Sequence, residues 1–362
     1  MENPKKDFLG LLTQNKQRAY ICSIICALYY NDLRTMEKIT IVGAGSWGTA
    51  LAAILGEKKH DVSLWCRRKD LADEINKFRE NKQYLHEAKL PENVIATNSI
   101  KEAAEKSGII VFAVPSAFLR GIASSFSRFI RKDAIILHVA KGMEEHSGKT
   151  MSNILKEELG KHMRIAVMSG PNHAEEVARK LPTATVIASE NKSAREYLCR
   201  VFSMPYFKPY PHDDVIGVEV CGAVKNIIAI SIGICDGLGL GDNAHGSILT
   251  LGLSEMNAIG RKFGAKRATC YGLAGVGDLV ATCFSEHSRN RNFGYMLAKG
   301  KTPEQIQKEM HGMVAEGVRN TKTIYDICIK NKINAPLIMQ TYKVLYGKIG
   351  ITKAVDQLLD II

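Results

Sequence analysis

The hydrophobic positions fall into two regimes, and the change comes near residue 215. Before it, short apolar runs alternate with amphipathic stretches. Lys38–Val42 is β-branched and ends in a glycine loop, and "TALAAILGEKKH" after it has helical spacing. "DVSLWC" (61–66), "GIIVFAVP" (108–115), "DAIILHVA" (133–140), "RIAVMSG" (164–170) and "TATVIAS" (183–189) read as further strands. The most continuous of these runs suit strands covered on both faces. Strands separated by helices predict an α/β fold, a mostly parallel, doubly wound sheet of Rossmann type. Beyond "YPHDDVIG" (210–217) the strand signals stop, and long helical patterns broken by glycine predict an all-α region.

The chain of 362 residues is too long for one simple core. The expected division is an N-terminal extension (1–35), a dinucleotide-binding domain (36–215) and a helical substrate domain (216–362). In the extension, residues 1–18 are polar and basic, and "AYICSIICALYY" (19–30) is uncharged but too short to span a bilayer. Met36 opens a natural start for the folded domain. The extension is expected to be poorly ordered, with a docking helix, targeting or membrane contact as alternatives.

One helix of the second regime breaks its own pattern. "VEVCGAVKNIIAI" (218–230) is apolar nearly all round, yet it carries Lys225, the only Lys or Arg between Lys208 and Arg261. Val218, Cys221, Lys225 and Ile228 form one stripe. Lysine on such a helix normally faces water. Lys225 therefore either snorkels to the surface or serves chemistry.

Composition narrows the partners. Hydrophobic content of 46% and charged content of 24% are ordinary for a globular protein. The net charge of +12 suits an anionic small substrate, a nucleic acid or a membrane surface. The charges are spread, with no dense basic run interleaved with aromatics, so no nucleic-acid partner is expected. Nine cysteines without a CxxC pair read as reduced thiols of a cytoplasmic protein. The ten histidines form no HExxH or Cys/His cluster, so no metal site is expected.

"ITIVGAGSWGTALA" supplies Gly43, Gly45 and Gly48 between a strand and a helix. In a GxGxxG loop the first glycine makes the turn, the second admits a pyrophosphate and the third allows close helix packing. The helix start then offers free N–H groups to the phosphates. The end of the next strand, where NAD-selective sites carry a carboxylate, reads Cys66, Arg67, Arg68. Two guanidinium groups there favour acceptance of NADP(H), with NAD(H) open and a solvated surface pair as the alternative.

Four more stretches combine turns with polar groups. "HVAKGME" puts Lys141 just after a strand, where the ligand crevice of such a sheet lies. "SGPNHAEEVA" carries Asn172 and "GLAGVGDLVATC" carries Asp278, each near a helix start where plain N-capping is the alternative. "SRNRNFG" opens with Ser288 as a cap, followed by Arg289, Asn290 and Arg291 in the first turn, a pattern that suits a phosphate.

Taken together with "FAVPSAFLR", "AKGME", "GVEVCGAVKNIIAI" and "VAEGVRN", these motifs make the chain resemble the soluble bacterial-type NAD(P)-dependent glycerol-3-phosphate dehydrogenases from about Met36 onward. The resemblance implies reversible reduction of dihydroxyacetone phosphate to sn-glycerol 3-phosphate, feeding phospholipid synthesis, with NADP or NAD as dissociable cosubstrate. It implies Lys225 as proton donor and acceptor, and Ser288, Arg289 and Asn290 at the substrate phosphate. Lys141, Gly170, Asn172 and Asp278 match substrate-lining positions. Ser46, Trp47, Arg67, Arg68, Tyr84, Ala174, Val314 and Glu316 match cofactor positions, with Lys141 and Arg289 touching both ligands. A homodimer without stable membrane insertion is implied too. Asn172 and His173 depart from the family, which often has Ser/Thr and an apolar residue there.

The chemistry fits a lysine. Hydride addition to a ketone leaves an alkoxide that needs a proton. A lysine in a dry cleft can exchange one near working pH, whereas arginine stays charged. The rival enzyme is a two-domain dehydrogenase of a hydroxy acid such as 6-phosphogluconate, which the RN motif disfavours. A catalytically silent dinucleotide sensor would have lost Lys225, Asp278 or Arg289, and all are present. A membrane-bound flavin-linked glycerol-phosphate oxidiser is a further rival, disfavoured because no spanning helix is expected.

Overall fold

The computed structural model describes residues 36–310 and 315–360. Val314 and the extension 1–35 lie outside the described residues.

Eight strands form the main sheet: β1 (Lys38–Val42), β2 (Asp61–Trp65), β5 (Val94–Thr97), β6 (Ile109–Phe112), β7 (Ile135–His138), β8 (Arg164–Ser169), β9 (Thr183–Ala188) and β10 (Phe207–His212), with β3 (Glu80–Asn81) and β4 (Leu85–Lys89) in a separate hairpin. The order is β10-β9-β8-β7-β6-β1-β2-β5. Every pairing in it is parallel except β8 with β9. The sheet is thus mostly parallel, as the alternation of strands and helices predicts.

The continuous apolar runs are buried on both sides. Ile39, Ile41, Ile109 and Val111 pack into one core, against α1 (Ser46–Glu57) and α2 (Lys69–Phe78). Val42, Ile110, Phe112 and Ile136 pack into a second core on the other face, against α3 (Ile100–Ala104), α4 (Leu119–Phe126) and α5 (Met151–Leu159). Strands with alternate residues in two cores have no wet face, which is why they show no polar period. β1 lies between β2 and β6, where the chain order reverses, and the carboxyl ends of strands at such a point open a crevice.

After α6 (Ala174–Ala178) and α7 (Lys192–Phe202), the strands end at His212. α8 (Val215–Leu238) follows and is the axis of the helical region. By length and composition α8 could cross a membrane, but 94% of its most apolar window is buried inside the protein. Around it come α9 (Asp242–Lys262), α10 (Arg267–Cys270), α11 (Asp278–Phe284), α12 (Arg289–Ala298), α13 (Pro303–Glu309), α14 (Glu316–Asn331), α15 (Pro336–Leu345) and α16 (Ile351–Leu359). A π-helical turn at Leu273–Gly277 leads into α11.

Glycines set the closest approach. A Cβ on Gly233 would stand 1.9 Å from the Arg291 carbonyl oxygen, and one on Gly294 would stand 2.0 Å from that of Ile230. α8 and α12 therefore meet backbone to backbone, which brings the first turn of α12 beside Lys225.

Candidate active site

The glycine loop assigns each glycine a different task. Gly43 has φ +116°, and a Cβ there would lie 2.6 Å from the Ala113 carbonyl oxygen at the end of β6. A Cβ on Gly48 would lie 1.9 Å from the Gly43 carbonyl oxygen, so α1 seats directly on the turn. A Cβ on Gly45 would meet nothing within 4 Å. Open space thus faces the start of α1, whose cap residue Gly45 offers no side-chain bond. The Trp47 Nε1 is buried without a partner among the described residues. Free helix N–H groups and an open backbone fit a dinucleotide pyrophosphate.

On the helical side the residues converge on one carboxylate. The Lys225 ammonium, on a residue 4% exposed, donates to Asp278 Oδ1 at 2.7 Å and to Thr282 Oγ1 at 2.5 Å. The Lys141 ammonium, reaching over from the β7 loop, donates to Asp278 Oδ2 at 2.7 Å. It also reaches the Gly170 carbonyl and Asn172 Oδ1, each at 3.2 Å. Ser169 Oγ donates to Asp278 Oδ2 at 3.2 Å. Lys225 is therefore no snorkelling lysine, and Asp278 and Asn172 are no helix caps. Gly170 and Asn172 follow β8, and Asn172 Nδ2 donates to Thr185 Oγ1 at 3.1 Å.

Electrostatics follow from two cations sharing one buried anion. Burial pushes the Lys141 ammonium down to about 8, with Asp278 opposing and Lys225 adding to the fall. Burial alone would push the Asp278 carboxyl up, yet Lys141 and Lys225 together hold it below its usual range. His173, half-exposed beside α11, is lowered by burial and then by Lys225.

The remaining residues bind the two regions together. Arg289 donates to Ser46 Oγ at 3.1 Å, and Ser46 Oγ donates to the Tyr84 carbonyl at 2.7 Å. Ser288 caps α12 by accepting from the Arg291 N–H at 3.2 Å, as its sequence position predicts. Asn290 donates to Asn226 Oδ1 at 3.0 Å and accepts from the Gly317 N–H at 2.9 Å. Glu316 accepts from the Ser116 N–H at 3.1 Å, and burial raises its carboxyl despite that bond and Arg289. Ala174 opens α6 and is buried in the core beside α1.

Arg67 and Arg68 follow β2 and lead into α2, both exposed. Arg68 bonds Gln83 and lies 3.5 Å from Asp70, apart from the Asp278 cluster. Four supporting residues escaped the sequence reading: Thr282, Ser169, Asn226 and Asn320. Asn320 Nδ2 donates to the Lys141 carbonyl at 2.9 Å. Thr282 follows Asp278, and Asn320 follows Glu316, by four residues on one helix face. That spacing was the available signal.

Known proteins match the chain in sequence and in fold. The model of the NAD-dependent glycerol-3-phosphate dehydrogenase N-terminus matches residues 38–195, and that of its C-terminus matches residues 214–356. A Clostridium tetani protein named glycerol-3-phosphate dehydrogenase [NAD(P)+] is 43% identical over 312 residues, which are 86% of this chain and 89% of the relative. One of that name from Fusobacterium nucleatum is 41% identical, over 90% of this chain and 97% of the relative. The crystal structure of glycerol-3-phosphate dehydrogenase from Coxiella burnetii superposes with a TM-score of 0.86 at 39% identity, covering 89% of this chain and 98% of that one. Two matched regions and full-length relatives leave one assignment: the chain belongs to the NAD-dependent glycerol-3-phosphate dehydrogenase family.

Proposed function

We propose that the Asp278 cluster carries the family's reaction, the reversible reduction of dihydroxyacetone phosphate to sn-glycerol 3-phosphate with NAD(P)H. The observation that supports this most is Asp278 held at 2.7 Å by both Lys141 and Lys225, beside the arginine that touches the glycine loop.

The bound nicotinamide supplies a hydride to the carbonyl carbon. Gly43, Gly45, Ser46, Trp47, Gly48, Arg67, Arg68, Tyr84, Ala174, Val314 and Glu316 are the positions assigned to hold the dinucleotide. Lys225 delivers a proton from Nζ to the oxygen that becomes negative, and takes it back in the oxidation. Its bonds to Asp278 and Thr282 aim the ammonium, so little reorganisation accompanies the transfer. Lys141 adds positive potential at the same oxygen and, with Gly170 and Asn172, fixes the carbonyl end. Arg289, Asn290 and Ser288 take the phosphate at the start of α12, where free N–H groups add to the guanidinium. Because Arg289 also touches Ser46, phosphate binding is joined to the cofactor loop. That contact supports reading the β-rich and helical regions, divided near residue 215, as two domains that close on the ligands.

We place the enzyme in the cytoplasm, where the buried, unbridged cysteines among the described residues stay reduced. We assign it a homodimeric state from its family. The direct test is loss of reduced-nicotinamide absorbance on adding dihydroxyacetone phosphate, in parallel with NADPH and NADH. Turnover is expected with both, and NADPH matching NADH would give Arg67 and Arg68 their role. Turnover with NADH alone would leave them as surface charge. No turnover with either would reject the assignment, and a panel of hydroxy acids would follow.

A further inference from the structure

Behind the reacting groups lies a buried polar cluster that none of the assigned residues belongs to. His138 ends β7, Ser152 lies in the first turn of α5, and Glu219 comes from α8; all three are buried. His138 Nε2 meets the Ser152 hydroxyl at 3.1 Å and lies 3.2 Å from Glu219 Oε1. A carboxylate oxygen only accepts, so Nε2 carries a proton, bonded to the hydroxyl with the carboxylate beside it. Glu219 Oε1 also accepts from the Ser152 N–H at 2.7 Å. It thereby supplies an acceptor that the start of α5 lacks, since Thr150 makes no capping bond.

Stability does not explain the cluster. His138 Nδ1 and Glu219 Oε2 are buried without a partner among the described residues. A buried pair left half satisfied contributes less to a fold than apolar side chains of the same size. What the pair does fix is direction. His138 stands three residues before Lys141, and Glu219 stands six before Lys225. The chain after β7 then runs along one face of α8, the face that carries Glu219, Gly222 and Ala223. A Cβ on Gly222 would lie 3.5 Å from Lys141 Cγ, so the lysine stem rests against the helix. Asn320 Nδ2 donates to the Lys141 carbonyl at 2.9 Å and reaches the Ala223 carbonyl at 3.4 Å. The loop is thus tied to α8 at two points, ahead of Lys141 by His138 and at Lys141 by Asn320.

We propose that His138 and Glu219 are positioning residues for the reaction: they set where Lys141 stands along α8, and so hold its ammonium on Asp278 opposite that of Lys225. This rests on the role proposed above for Lys141 at the carbonyl oxygen. Neither residue of the pair reaches the substrate. Their effect passes through Lys141 to the oxygen that becomes negative, so it falls on kcat. The phosphate contacts on α12 and the glycine loop are left as they are.

The test is steady-state kinetics of the full-length protein with dihydroxyacetone phosphate and NAD(P)H, with folding checked by circular dichroism. His138→Leu combined with Glu219→Gln removes the pair without leaving a buried charge alone, and an amide oxygen at 219 still accepts from Ser152. This double variant should lose roughly 10–100-fold in kcat, the scale of a small misplacement at a reacting centre. KM for both ligands should stay within roughly threefold, as expected when only a transition-state contact is lost. On a Lys141→Met background the same two changes should lower kcat no further, because residues acting through one group are not additive. His138→Gln alone, whose amide N–H can meet the same hydroxyl, should keep most of the activity. If the double variant does not fold, Glu219→Gln alone decides, with a smaller fall in kcat that again vanishes on the Lys141→Met background. A folded variant with lowered thermal stability and unchanged kcat would make the cluster structural only and overturn the proposal. So would a loss that adds in full to that of Lys141→Met. Full activity of Lys141→Met by itself would instead reject the reading of Lys141, and the proposal with it.

Discussion

Lys141 offers the sharpest test of the electrostatics, because its charge is predicted to work against the fold. Burial lowers its ammonium from 10.5 to about 8, even with Asp278 at 2.7 Å. The folded value lies below the unfolded one, so between pH 8 and 10.5 the unfolded chain binds more protons than the folded one. Stability from this group therefore rises with pH across that window. Below about pH 8 the penalty is fully present, and above about 10.5 it is gone. A window of that width corresponds to about 3 kcal/mol, at about 1.4 kcal/mol per pH unit.

Replacing Lys141 with Met removes the cation and keeps most of the volume. Asp278 is not orphaned, since Lys225 and Ser169 still donate to it. Urea unfolding of both proteins from pH 7 to pH 10, at fixed ionic strength, gives the difference in stability at each pH. Lys141→Met should be more stable near neutral pH, and the wild type should gain on it by about 3 kcal/mol as pH rises, most of the change falling before pH 10. Turnover should fall in the variant, a trade of activity for stability. A difference that stays flat across the window would refute the claim that burial outweighs the Asp278 pair.

The catalytic roles separate by kinetics. Lys225→Met should lower kcat by roughly 10²–10⁴-fold, the usual worth of a positioned acid, with little change in KM. Arg289→Ala should act mainly on KM, lowering kcat/KM by roughly 10–100-fold as charged hydrogen bonds are lost. The glycine loop should split likewise under circular dichroism and cofactor titration. Gly45→Ala should fold normally and bind the dinucleotide more weakly, whereas Gly48→Ala, with its Cβ 1.9 Å from the Gly43 carbonyl oxygen, should destabilise the fold itself. Glu255 should show a pH slope opposite to that of Lys141. Its carboxylate accepts from the Leu337 and Ile338 N–H groups at the start of α15, yet burial raises it from 4.5 to about 7. The folded state therefore holds the proton longer, stability from this group falls as pH rises from 4.5 to about 7, and unfolding of Glu255→Gln should lack that fall.

What the sequence revealed depended on how local the cause was. The three glycines are legible because each answers to its own turn, and the structure gives Gly43, Gly45 and Gly48 distinct surroundings. The long apolar runs are legible because two-sided burial removes every polar position. β10 was not, since "FKPYPH" carries Pro209 and Pro211 and proline argues against a strand. It is tolerated because β10 is the outermost strand, bonded to β9 alone. Nor does a sequence record strand direction: "TATVIAS" reads as one more strand, but it runs antiparallel to β8. The hairpin of β3 and β4 was missed because two paired residues leave no period to detect. At the site, Lys225 stood out as a lone cation among apolar neighbours. Its partner Asp278, 53 residues away, was found only as a motif, and the bond between them is a tertiary fact.

That bond answers why α8 can be apolar nearly all round and still carry a lysine. A helix surrounded by neighbours has no wet face to give its cation, so the charge must be met inside, and Asp278 and Thr282 meet it. Lys141 on the same carboxylate is the less expected element. One anion for two cations leaves the cluster net positive, and Arg289 adds to this from α12, while the buried Glu316 carboxyl, raised by burial, faces the same three cations and offsets part of it. Structure alone gains nothing from that surplus, as the fall of Lys141 to about 8 indicates. A phosphate-bearing substrate supplies the missing negative charge. The site is then electrostatically complete only with its ligand, and the attraction that completes it is available to hold the cofactor loop at Ser46 against the helical wall at Arg289, which already touch at 3.1 Å.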